Sequence, residues 1–247
     1  MDTVARMAAK DRTELFAETA NRKGLQASLI EKDFRVCWSL GRLFSLPNQT
    51  ARLIFKGGTS LSKVFHVIHC FSEDVDLSLN RADLGFVDEK NPEEAASGKR
   101  VQMLIAEISE TCKRVIREEL VPSIEASCAS ILGTPGESWS IAIDQHDPQT
   151  VLFKYPRRGP GESVAERAYV QPAVRFELGA RSDHWTAAEH TVQPSHRPTW
   201  NFHCRRTKID YLSDGSPGFD HCVNCCVIPF AILSTTSRVC RRPPSWL

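Results

Sequence analysis

The chain carries almost no net charge, 31 Lys+Arg against 30 Asp+Glu in 247 residues. Net charge therefore gives no reason to expect a general nucleic-acid binder and leaves only a local basic patch open. No stretch approaches 18 apolar residues, so no membrane-spanning helix is expected. The opening MDTVARMAAKDRTELF lacks the apolar core of a secretory signal. The expected setting is a soluble protein of the cytoplasm. No internal repeat is present, which removes solenoid architectures. Hydrophobic residues reach 41% and charged residues 25%, enough for an ordinary globular core.

One further lack is local. From Ser195 to Leu247 there is no Glu, and Asp210, Asp214 and Asp220 face seven Lys+Arg. Five of the nine cysteines (Cys204, Cys222, Cys225, Cys226, Cys240) crowd into that segment. The other four, Cys37, Cys70, Cys112 and Cys128, fall in patterned segments and read as small reduced core residues.

What is present centres on FKGGTSLSKVFHVIHCFSEDVDLSL, residues 55–79. The short apolar RLIF at 52–55 reads as a strand that stops at Gly57–Gly58. TSLSKVFHVIHCF reads as a helix with Thr59, Ser60 and Ser62 in its first turn. The next strand alternates, Val75, Leu77 and Leu79 on one face and Asp74, Asp76 and Ser78 on the other. Upstream, LIEKDFRVCWSLGRLFSL has helical period, with Leu29, Ile30, Phe34, Val36, Cys37, Leu40, Leu43 and Phe44 on one arc. Glu31, Arg35, Ser39 and Arg42 take the opposite side. Asp33 falls inside the apolar arc, where an acid needs a buried partner or a site to face. A long helix is expected over Lys99–Leu120 and strands at 149–156 and 169–182. That order fits a mixed α/β or α+β domain.

Asp74 and Asp76 project from one strand face, roughly 7 Å apart at Cα. Two like charges so placed suit a hard divalent cation, which takes oxygen ligands and, for Mg²⁺, leaves positions for phosphates. A glycine turn lets backbone approach a ligand, and a helix start offers free N–H groups to a phosphate. Such a unit suits phosphoryl or nucleotidyl transfer. Glu177 lies on the strand YVQPAVRFELGARS and would supply a third acid for a two-metal arrangement. Read alone it pairs with an arginine. Lys154, on VLFKYP, could reach a triphosphate as a point charge, or could be an edge-strand surface lysine.

GGTSLSK followed by SEDVDLSL, with IEKDFRV upstream and TVLFKYPRR and YVQPAVRFELGARSDHW downstream, resembles the AbiEii/AbiGii nucleotidyltransferase toxins over residues 15–194. This family belongs to the polymerase-β-like superfamily. The resemblance implies a polymerase-β-like core, a mixed sheet flanked by helices. It implies that Gly57, Gly58, Thr59 and Ser60 grip phosphate, that Asp74 and Asp76 hold metal, and that Glu177 is the third catalytic acid. Lys32 and Asp33 lie in the family's helix motif and count, with Lys154, among the cofactor-binding residues. It further implies Mg²⁺, an NTP substrate, an acceptor such as tRNA, a cognate antitoxin and a part in abortive infection, or phage defence. A nucleotide-binding protein without catalysis, or an inactive truncated member, remains the alternative.

Three regions are expected: N-terminal helices at 1–50, the nucleotidyltransferase core at 51–194, and an atypical tail at 195–247. Past HTVQP the resemblance stops. The tail reads as a frameshifted or truncated end, as a zinc site joining His203 or Cys204 to Cys222 and Cys225, or as a divergent partner-binding segment.

Overall fold

The structure is a computed structural model and describes residues 1–64, 74–136, 138–155, 172–181, 187–192, 194 and 207–212. These lie in one unit, Met1–Asp214, and the second, Gly215–Leu247, falls outside the described residues. So do Cys70, His203, Cys204, Cys222 and Cys225, and with them the zinc reading.

Three helices open the chain: α1 (Asp2–Arg6), α2 (Ala9–Lys23) and α3 (Ala27–Leu43). Helix α2 ends where Gly24 turns to φ +64°, and the amides of Gly24 and Leu25 close onto the carbonyls of Asn21 and Ala20. This left-handed close satisfies carbonyls that a helix end leaves open. The central unit follows as β1 (Leu53–Lys56), α4 (Gly57–Lys63) and β2 (Asp74–Leu79). The expected continuation of α4 over 65–71 lies outside the described residues.

A long helical run then extends from Gly98 to Leu132, as α5 (Gly98–Val115), a π-helical turn (Ile116–Leu120) and α6 (Val121–Leu132). Ser97 caps its start by accepting the Arg100 amide at 3.3 Å. The sequence placed its end at Leu120, but it continues for another twelve residues. Pro122 has no N–H for the ladder, and the π turn ahead of it absorbs the mismatch that would otherwise break the helix.

Strands β3 (Ser140–Ile143), β4 (Thr150–Lys154), β5 (Ala173–Gly179), β6 (Ala187–Val192) and β7 (Thr207–Leu212) complete one seven-stranded mixed sheet, ordered β3-β4-β5-β2-β1-β7-β6. Strands β2 and β5 run parallel, while β1–β2, β4–β5 and β3–β4 are antiparallel. One face is apolar, with Leu53, Phe55, Val75, Leu77, Leu79, Val151, Phe153, Val174, Phe176 and Leu178 all buried. Trp38 of α3 meets Phe153 at 5.7 Å between ring centroids, and Trp139 meets the same ring edge-on at 6.5 Å. Such pairs add about 0.5–1.5 kcal/mol each beyond area burial. Cys37, Cys112 and Cys128 are buried and unbridged, as expected, and burial pushes the Cys128 thiol up to about 12.

Helix α3 departs from the amphipathic reading. Its polar side is buried too, and Glu31, Arg35 and Ser39 are as enclosed as the apolar arc. The reason is Arg12 of α2, which packs against it: Glu31 accepts from Arg35 at 3.3 Å and faces Arg12 at 3.8 Å.

Candidate active site

The open face of the sheet is built from cross-strand rows. Asp76 sits opposite Lys56 on β1 and opposite Glu177 on β5, whose other neighbour is Thr150. One row along, Asp74 sits opposite Arg175, with Leu152 beyond. Directly opposed residues share a face, so pairing brings Asp74, Asp76 and Glu177 together from segments far apart in the sequence. Lys154 is exposed, on the same face opposite Ala173, one row beyond Asp74.

The glycine turn is fitted to this row. Gly57 has φ +73°, and a Cβ there would overlap the Asp76 carboxylate. Only glycine permits both the backbone angle and the close approach. Gly58 differs: its φ is not in the left-handed region, and a Cβ would meet open space. Thr59 and Ser60 are buried and turn inward. Thr59 donates its hydroxyl to the Asp74 carbonyl at 2.5 Å, and Ser60 donates to the Gly57 carbonyl at 2.7 Å. These bonds tie α4 to β2 and close its first turn, so what faces outward at the turn is mainly backbone.

Crowding shows in the acids themselves. Burial, then Asp74, raises the Asp76 carboxyl above its ordinary value, against the pull of Lys56. Glu177 is raised by burial and by both aspartates, with Arg175 opposing. Arg175 stands among the acids, 3.4 Å from Asp74, 3.7 Å from Glu177 and 3.8 Å from Asp144. Asp144 went unread in the sequence. It opens the turn between β3 and β4, where its Oδ1 accepts the amides of His146 at 2.8 Å and Asp147 at 3.2 Å. Those two amides, with Arg175, hold its carboxyl below the usual range. A turn beginning DQHD was the available signal.

Lys32 and Asp33 are both fully enclosed in α3, and Asp33 forms a buried ion pair with Lys63, the last residue of α4. Burial lowers the Lys63 ammonium to about 8 even so. The misplaced acid of the apolar arc thus has its partner inside GGTSLSK, and the pair clamps α3 to the helix behind the glycine turn.

The donor set suits a hard cation. Three carboxylates offer only oxygen, and two acids plus phosphate oxygens make a usual Mg²⁺ shell. The clearance at Gly57 leaves Asp76 room at the turn. Among the described residues no three His, Cys, Asp or Glu side chains already converge on one point.

The structure is thus a mixed α/β fold, a sheet flanked by helices, with paired acids beside a glycine turn and a third acid in register. The model of the nucleotidyl transferase AbiEii toxin family, a type IV toxin–antitoxin system, matches residues 38–205, more than half of the chain. The chain belongs to this family. Among solved structures it is similar to MenT4, a nucleotidyltransferase toxin from Mycobacterium tuberculosis H37Rv, at 16% identity with a TM-score of 0.40. That similarity covers 81% of this chain and 55% of the MenT4 chain, so this chain spans little more than half of that length. No curated protein matches. Among the described residues no helix is long and apolar enough to cross a membrane.

Proposed function

We propose that the chain is a Mg²⁺-dependent nucleotidyltransferase that moves an NMP from an NTP to an RNA acceptor such as tRNA. It would act as the toxin of a toxin–antitoxin pair in phage defence, restrained by a cognate antitoxin in the cytoplasm. The observation that carries this reading is the registered row of Asp76 and Glu177 beside Asp74, against a Gly57 that has no room for a Cβ.

Asp74 and Asp76 would hold the cation that also engages the NTP phosphates, and Glu177 would complete a second position. When bound, Mg²⁺ supplies neutralisation of charge on the leaving pyrophosphate and a lowered pKa for the attacking hydroxyl. The chain's own part is orientation. The Gly57–Gly58 backbone offers close approach to a phosphate, and Thr59 and Ser60 keep that backbone in place by their inward bonds. Lys154 extends the face with a cation within reach of a polyphosphate tail. Asp33 acts from behind, by fixing α3 against α4 through Lys63, and Lys32 lies beside it in the same buried turn of α3.

The test is transfer itself. The full chain is incubated with Mg²⁺, each α-³²P NTP in turn and total bacterial RNA, beside an Asp74→Ala/Asp76→Ala control. Label reaching RNA only with the aspartates intact establishes the reaction and identifies the nucleotide. A folded chain that binds NTP but leaves all label in NTP points to nucleotide binding without catalysis.

A further inference from the structure

Arg175 projects from the centre of the carboxylate face. Its three guanidinium nitrogens address three acids on three segments: Nε toward Asp74 on β2, Nη2 toward Glu177 on β5 and Nη1 toward Asp144 in the β3–β4 turn. The distances, 3.4, 3.7 and 3.8 Å, exceed the roughly 2.7–2.9 Å of a charge-assisted hydrogen bond. The guanidinium is thus held by the surrounding field rather than by a fixed bond. It is 42% exposed and can re-aim. Two of its neighbours, Asp74 and Glu177, are acids read above as holding a cation. The third is not, and Asp144 is fixed by two turn amides on Oδ1 while Oδ2 faces Arg175.

From this we infer that the Arg175 side chain has two stations. Without nucleotide it is the resident counter-cation of Asp74 and Glu177 and competes there with a divalent ion. With the ion and nucleotide bound it withdraws toward Asp144 and turns its planar fork onto the nucleotide's phosphates. A single side chain would then weaken cation binding by the bare protein and strengthen binding of the cation–nucleotide pair. The site would fill cooperatively instead of loading metal first. This inference rests on the proposed roles of Asp74, Asp76 and Glu177.

The opposite signs make it testable without turnover. Mn²⁺ binding is measured by calorimetry on the full chain without nucleotide, for wild type, Arg175→Gln, Arg175→Lys and Asp76→Asn. Binding of the α,β-methylene analogues of the four NTPs is then measured at saturating Mn²⁺. Arg175→Gln should tighten Mn²⁺ about tenfold, as removal of a charge a few ångströms away implies, and the gain should shrink as salt is raised. The same variant should weaken the analogue about tenfold. Arg175→Lys should restore the Mn²⁺ competition but only part of the analogue affinity, because lysine lacks the fork.

If Arg175→Gln leaves both affinities unchanged, or lowers both, while Asp76→Asn abolishes Mn²⁺ binding, the two-station role is wrong and the site reading survives. If neither wild type nor Arg175→Gln binds Mn²⁺, both fall. A melting curve on each variant separates loss of fold from loss of binding, and Arg175→Lys repeats the test with the charge retained.

Discussion

Two groups of charged residues in this fold are treated in opposite ways. On the open sheet face, Asp74, Arg175 and Glu177 keep 47%, 42% and 46% of their side-chain surface in solvent, and Arg175 pairs with the two acids at 3.4 and 3.7 Å. Behind it, Arg12, Glu31, Lys32, Asp33, Arg35 and Lys63 are almost wholly enclosed. Arg35 there stacks over the Tyr155 ring at 5.3 Å, and burial holds it down to about 10. Enclosed charges are costly unless paired, and breaking one pair exposes the cost at once. Solvated charges in loose contact contribute little to stability. The first group can therefore be spent on chemistry, while the second fixes the parts that aim it.

Replacing Asp76 should give the largest effect and the clearest split. Asp76→Asn should reduce transfer to background yet raise stability at neutral pH. The sign follows from its raised carboxyl: a group whose folded-state pKa is raised stabilises while protonated and loses that contribution as pH climbs through the folded value. The melting temperatures of variant and wild type should converge near pH 3 and separate as pH rises through the carboxylate range. An Asp76→Asn chain less stable than wild type at pH 7 would move Asp76 into the structural group.

The converse is expected for the enclosed pair. Asp33→Ala removes the carboxylate that pairs with the buried Lys63 ammonium and should cost about 3–5 kcal/mol in urea unfolding. Asp33→Leu with Lys63→Met should recover much of that loss, since apolar replacement of a buried pair is often nearly neutral. A stable Asp33→Ala that loses only nucleotide affinity would break the division and return Asp33 to the ligand.

Gly57→Ala should combine both penalties. A non-glycine residue at φ +73° costs roughly 1–2 kcal/mol, and the added Cβ must push the Asp76 carboxylate aside. Urea unfolding should show the first, and transfer should fall with the second. Wild-type activity in Gly57→Ala would mean that Asp76 need not sit against the turn.

Local signals carried much of this into the sequence. The alternation through Asp74–Leu79 gave β2 its two faces, and the apolar period gave α3 its core side. The juxtaposition of Asp76 with Glu177 was not local. It depends on β2 pairing parallel with β5 across a long crossover, which residue spacing cannot specify. Strand β3 is four residues long and, unlike the equally short β1, has no glycine pair to mark its end. The burial of the polar side of α3 depends on Arg12, which approaches from another helix. Asp33 was flagged as anomalous by position alone, but which lysine answered it required the fold. The π turn defeated the helix end for a similar reason: proline normally stops a helix, and only the slipped register shows that this one continues.

The smallest expected effect separates the two glycines, which the sequence presented as equals. Gly58 has neither a positive φ nor a neighbour within 4 Å of a Cβ. Fold alone thus gives no reason for glycine there, and Gly58→Ala should stabilise by about 0.5 kcal/mol through lower unfolded-chain entropy. If the turn is where phosphate approaches, the same methyl should raise the KM for NTP while the melting temperature rises slightly. That combination would assign Gly58 to the ligand and Gly57 to Asp76. An unchanged KM would instead place the phosphate away from Gly58, leaving the approach to the Gly57 backbone and to the cations at Arg175 and Lys154.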